Sequence, residues 1–176
     1  MIRYYLTVVL TSIMVILISC TRTEKRLYGF WKTTSLKLDN QSQLTITENE
    51  SHPPCGNITG TTTIKAIESY LTFHKDNFYQ LSIGLQGQTE IKSDSCPVDK
   101  ETFKEYYSEY GSWTLLDKNI IFFQPDVGDP YQCTIVSLKK NKLSLDCSFR
   151  MWFVKPLSYD DYYTESMQLE AERISK

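Results

Sequence analysis

The side chains here that could do chemistry are few, and thiols lead them. Five cysteines stand at Cys20, Cys55, Cys96, Cys133 and Cys147. A thiol can be acylated, pair as a disulfide, ligate a metal or act as a nucleophile, and its surroundings select among these. Zinc-type sites want closely spaced ligand pairs, but no Cys-x-x-Cys occurs and His52 and His74 lack ligand spacing. Nucleophilic catalysis wants a base beside the nucleophile. His52 sits in a Pro-rich loop, and His74 takes the outward phase of its strand. Asp160 and Asp161 are adjacent at an expected helix start, where carboxylates favour the helix dipole without doing chemistry. The run Asp126-Val127-Gly128-Asp129-Pro130 lacks the spacing and closing Glu of an EF-hand and reads as a turn. Together these residues argue against an enzyme and imply neither metal nor cofactor.

Cys20 stands apart by position. Residues 4–18 lean apolar without interruption, Arg3 precedes them, and Thr21, Arg22, Thr23, Glu24 and Lys25 follow, which is the layout of a secretory signal. A permanent span needs roughly 20 apolar residues, more than this run supplies. The sequence Leu17-Ile18-Ser19-Cys20 resembles a bacterial lipobox. That resemblance implies cleavage before Cys20 and an acyl lipid such as palmitate on its thiol, tethering a lipoprotein to the bacterial cell envelope at the outer membrane. Residues 1–19 would then be a cleaved signal peptide and 20–26 a polar tether. An exported chain meets an oxidising compartment, where the other four cysteines can pair in three ways. Cys133 and Cys147 flank the turn at 139–142: a three-residue loop would set them opposite each other, and a two-residue loop would leave Cys133 one position out of register. The favoured pairing is Cys55–Cys96 with Cys133–Cys147.

Removing 19 residues from 176 leaves enough chain for one domain with a real core. The full chain carries a formal charge of −2, and losing Arg3 makes it more negative. By field alone, this charge argues against nucleic acid and anionic membranes as partners.

Strand signals dominate the rest. Over 143–153, Leu143, Leu145, Cys147, Phe149, Met151 and Phe153 alternate with polar residues and Trp152, predicting one strand with a buried face. Tyr79, Leu81, Ile83 and Leu85 alternate likewise, after Leu71 and Phe73. Lys75-Asp76-Asn77, Asp117-Lys118-Asn119 and Lys140-Asn141 supply turns. Weaker strands near 28–38, 43–48 and 59–67 bring the total to eight or nine, mainly β and antiparallel, and closure into an up-and-down barrel would remove the unpaired edges. Two helices are expected: a short inserted one near 98–109, after Pro97, and a C-terminal one over 158–176. In the latter, Ser158 and Asp161 suggest a capping box, and Tyr163, Met167, Ala171 and Ile174 form a stripe that packs on the barrel. Segments 49–58 and 86–97 read as long loops.

Gly29-Phe30-Trp31 opens the first strand and Gly111-Ser112-Trp113 repeats the pattern mid-chain. These motifs resemble the Gly-x-Trp of lipocalins, and their arrangement is similar to lipocalin-like lipoproteins common in Bacteroidetes, over roughly residues 27–154. The resemblance implies an eight-stranded calycin-like barrel over 27–157, with Gly29, Trp31, Gly111 and Trp113 at barrel ends and an arginine from the final strand over the first tryptophan. Arg150 is the candidate for that arginine, although its phase points outward.

The phases direct Leu71, Phe73, Tyr79, Leu81, Ile83, Leu143, Leu145, Phe149 and Met151 inward. An eight-stranded barrel either fills with such side chains or holds one small ligand. If open, the interior would take a small apolar molecule. The competing reading is an interaction or inhibitor lipoprotein that grips a protein partner through loops 49–58 and 86–97.

Overall fold

The computed structural model of the protein describes residues 22–158 and 160–174, so Cys20 and the segment 1–19 lie outside them. Eleven strands follow in chain order: β1 (Gly29–Leu38), β2 (Gln43–His52), β3 (Gly56–Phe73), β4 (Phe78–Ser93), β5 (Asp99–Asp117), β6 (Ile120–Pro125), β7 (Tyr131–Leu138), β8 (Lys142–Cys147), β9 (Trp152–Val154), β10 (Asp161–Tyr163) and β11 (Met167–Arg173). Nine of them form one antiparallel sheet in the order β1-β11-β8-β7-β6-β5-β4-β3-β2. β1 also pairs with β3, from Gly29↔Phe73 to Lys32↔Tyr70, so hydrogen bonds run round a closed ring. β2 takes the other half of β3, from Gln43↔Lys65 to His52↔Gly56.

The three short turns fall where their residues predict, with Asn77 at φ 63° between β3 and β4. All nine residues read as inward are buried, because period-two alternation puts one face of each strand into the ring.

Neither expected helix forms. Residues 98–109 belong to β5, which pairs with β4 continuously from Ile91↔Asp99 to Phe78↔Ser112. Thr102, Phe103, Tyr106 and Tyr107 suit a pleated surface, and the long β4 supplies the ladder. In the C-terminal segment, Met167, Leu169 and Ala171 are buried and alternate with more exposed neighbours. Residues four apart share a face in a helix and in a strand alike, so the Met167/Ala171 stripe could not discriminate. Leu169, buried midway between them, decides for the strand. Ser158 caps no helix: its hydroxyl accepts the Asp160 amide at 3.3 Å and donates to Glu48 Oε1 at 2.8 Å.

The single strand expected over 143–153 breaks after Cys147. Its alternating burial persists through Phe149, Met151 and Phe153, but the ladder partners β7 and β11 have ended by then. The expected loops are also shorter: 49–58 is mostly the β2–β3 hairpin around residues 53–55, and the 86–97 loop reduces to 94–98.

The two ends of the ring differ. The turns β3–β4, β5–β6 and β7–β8, the start of β1 and the end of β11 all lie at one end, and a helix over 22–27 lies across it. Leu27 is fully buried there, Trp31 Nε1 donates to the Leu27 carbonyl at 2.8 Å, and Arg26 Nη2 donates to the Leu138 carbonyl at 2.5 Å. From residue 22 onward, the segment read as a tether is therefore a plug. At the other end β3, β4 and β5 overrun their neighbours. At roughly 3.3 Å per residue, β5 is about 60 Å long and β6 about 20 Å. The surplus halves continue with β2 as a sheet, and the segment 151–157 crosses its inner face.

Candidate functional site

Gly29 has φ +132°, a conformation that favours glycine, and it leads directly into Trp31, which is fully buried. The Arg173 guanidinium lies 4.5 Å from the Trp31 ring centroid and donates through Nη2 to the Arg26 carbonyl. Arg150 is exposed, so the arginine expected over the first tryptophan comes from β11. Reading 158–174 as a helix had hidden it. Gly111 serves close approach: a Cβ there would lie 2.2 Å from the Gln124 carbonyl oxygen. Trp113 is buried between Tyr28 and Phe73, each edge-on to it.

Above this aromatic floor sits a buried carboxylate that the sequence reading missed. Glu109, on the inner face of β5, is 6 % exposed. Its Oε1 accepts hydroxyls from Tyr79 at 2.6 Å and Tyr131 at 2.7 Å, and its Oε2 accepts Tyr107 at 2.6 Å. Burial, reinforced by the Glu109 carboxylate, pushes all three tyrosine hydroxyls well above their ordinary range. They remain donors at every physiological pH. Tyr107, Gly111, Trp113 and Leu115 share the phase of Glu109. Once 99–117 is read as a strand, a lone acid on its inner face is the signal that could have found this cluster.

Beyond Glu109 the interior opens into a cleft of about 560 Å³. One wall is the inner face of the overrunning strands, with Ile64 from β3, Leu85 and Ile91 from β4, and Phe103 and Tyr107 from β5. The other wall is 151–156, including Met151, Phe153 and Val154. Asp99, Glu101 and Glu105 add carboxylates along the β5 side, and Lys155 stands at the opposite wall. Of the nine residues read as a cavity lining, only Met151 reaches this space; the other eight pack into the core below it. Glu48 ties the second wall to β2 by accepting from Leu157 N and Ser158 N at 2.9 and 3.1 Å, with Lys155 Nζ 3.8 Å away. Burial raises the Glu48 carboxyl, but these hydrogen bonds and Lys155 outweigh it and hold the group below the usual range.

Neither a family model, nor a curated protein, nor a solved structure matches the chain.

Both favoured cysteine pairs lie at bonding distance. Cys55 and Cys96 have Cα atoms 5.2 Å apart and join the β2–β3 turn to the loop before β5 at the open end. Cys133 and Cys147 are direct cross-strand partners, with Cα atoms 4.0 Å apart. The β7–β8 turn has two central residues, Lys140 and Asn141, and a bulge between Ile135 and Ser137 restores the register that such a turn would shift. His74 packs outside the ring, 5.6 Å from the Phe78 ring. Among the described residues no group of three or more His, Cys, Asp or Glu could hold a metal ion, and no helix is long and apolar enough to cross a membrane.

Proposed function

We propose that this protein is a lipocalin-like lipoprotein: an up-and-down barrel tethered through Cys20 to the bacterial cell envelope, binding a small amphipathic molecule rather than catalysing a reaction. The cleft above Glu109 carries this reading. Its volume lies within the range of small-molecule sites, its walls are more apolar than polar, and its carboxylates sit along the β5 side with Lys155 opposite. Next-neighbour strand order from β2 to β8, and an arginine of the last strand over the tryptophan of the first, support the barrel family. The lining also restricts the ligand. Asp99, Glu101 and Glu105 disfavour a fatty-acid carboxylate and suit an apolar body with a neutral or amine head.

Native mass spectrometry of the purified protein, together with displacement of an environment-sensitive fluorescent probe by a long-chain amine or a long-chain carboxylate, tests this. The amine is expected to displace the probe at lower concentration than the carboxylate. Phe103→Glu, at a partly exposed position in the wall, should abolish probe uptake while the far-ultraviolet circular dichroism stays unchanged. Uptake at wild-type level in that variant would sink the proposal. The anchor is tested separately by fatty-acid labelling of the full chain against Cys20→Ala, where unchanged labelling refutes it.

A protein partner is the second reading. The observation favouring it is the Cys55–Cys96 link, which fixes two exposed turns together at the rim of the open end.

A further inference from the structure

Charge is segregated along the axis of the ring. At the plugged end, the 22–27 helix carries Arg22, Lys25 and Arg26 against Glu24. The β3–β4 turn adds Lys75 against Asp76, and the β5–β6 turn Lys118 against Asp117. Around the β7–β8 turn stand Lys139, Lys140 and Lys142, the last paired at 3.5 Å with Glu172 of the β11 end Glu172-Arg173. Arg3 and Lys176 lie outside the described residues, so nine of the 17 described basic residues collect here with four acids, leaving eight basic and 17 acidic residues for everything else. All nine except Arg173 are exposed.

Large apolar side chains stand among these charges. Phe30, Phe78, Leu116 and Ile174 are 37 to 55 % exposed, and each belongs to a strand end or turn at the plugged end. Phe30 stacks on Tyr70 with ring centroids 5.1 Å apart, and the Ile174 amide donates to the Phe30 carbonyl, so they form a supported surface. The residues preceding the described chain, Cys20 among them, join it at Arg22 on this same face.

We propose that the plugged end docks on an anionic phospholipid bilayer, with its basic residues at the headgroups and Phe30, Phe78, Leu116 and Ile174 entering the interface. Cations near an anionic surface are attracted within a Debye length, and partly exposed aromatic and aliphatic side chains add apolar burial. The net negative charge that argued against anionic membranes averages over two opposed ends and hides the complementarity. Docking at this end points the cleft away from the bilayer and leaves its mouth open to solvent. The proposal deepens the lipoprotein reading, since an anchor and a docking face at one end set a fixed orientation.

The test uses the chain from Cys20 onward, acylated at that cysteine, mixed with vesicles of phosphatidylcholine alone, or with about a third phosphatidylglycerol, containing brominated acyl chains. Phe78→Trp supplies the reporter. Trp31 and Trp113 are buried and Trp152, though exposed, lies beside the cleft at the opposite end, so the wild-type chain gives the baseline. Bromolipid quenching of the reporter is expected in phosphatidylglycerol vesicles, falling by roughly half or more in 0.5 M sodium chloride or after Lys139→Glu, Lys140→Glu and Lys142→Glu together. Quenching that is equal in both vesicle types, or indifferent to salt and charge reversal, overturns docking while leaving the anchor standing. Failure to associate with either vesicle overturns both. A dimer in detergent that the triple reversal dissociates would assign this face to a second copy and likewise overturn the proposal.

Discussion

Replacing Glu109 should separate the need for an acceptor from the need for a charge. In Glu109→Leu the three tyrosine hydroxyls lose their common partner. A buried donor without an acceptor costs about 1–3 kcal/mol. Tyr107 is only partly buried and can turn to water in the cleft, whereas Tyr79 and Tyr131 are 0 and 7 % exposed. One of that pair can donate to the other, which leaves between one and two orphans and a loss of about 3 kcal/mol. In Glu109→Gln the carbonyl oxygen can still accept Tyr79 and Tyr131 while the amide donates to Tyr107. Only the charge assistance is lost, about 1 kcal/mol. Each kcal/mol shifts the melting temperature of a domain this size by roughly 2–4 °C. Calorimetry with disulfides intact should therefore give a fall of about 2–4 °C for Gln and about 6–12 °C for Leu. Equal melting temperatures for the two variants would refute the idea that Glu109 organises the cluster.

The same cluster fixes an alkaline limit. Folded Tyr79, Tyr107 and Tyr131 ionise far above the ordinary value near 10, first through burial and then through Glu109. Their contribution is complete below about pH 10 and is lost as pH climbs toward the folded values, because only the unfolded chain releases these protons. Denaturant midpoints should decline above pH 10, and a midpoint constant to pH 11 would contradict the assignment. Arg173→Ala removes the cation over Trp31 and the donor to Arg26, and should cost about 1–3 kcal/mol with a changed tryptophan emission; unchanged emission and stability would show the pair to be idle. Opening the Cys133–Cys147 bond, which spans 14 residues, should cost about 3 kcal/mol, and opening Cys55–Cys96, which spans 41, about 4. Urea titrations of Cys147→Ala and Cys96→Ala, each with its partner also replaced, measure this, and a larger loss for the shorter loop would refute the chain-entropy account.

Strand content, the hairpin turns and the inward phases were legible because alternation and turn chemistry act locally. Asn77 takes its left-handed turn, and Leu81 and Leu145 face the core as their spacing implies. What failed was decided by neighbours. Residues 99–110 are strand because β4 offers them a ladder. β11 is strand because it fills the gap between β8 and β1. Cys133 meets Cys147 through a bulge at Val136 that no sequence rule places. The candidate site fared worse than the fold: its cleft arises from unequal strand lengths, and its carboxylate lay in a segment assigned to the wrong period.

The ring is completed by β11, which follows every other described strand in the chain and binds both β8 and β1. A chain made from its N-terminus must therefore hold β1 partly unpaired until residues 167–173 arrive. Until then the edges of β1 and β8 stand open side by side, and either can recruit a strand from another molecule. Closure of the ring thus waits until every other described strand has been made. Loss of residues 167–173 would leave two adhesive edges and take Arg173 from its tryptophan.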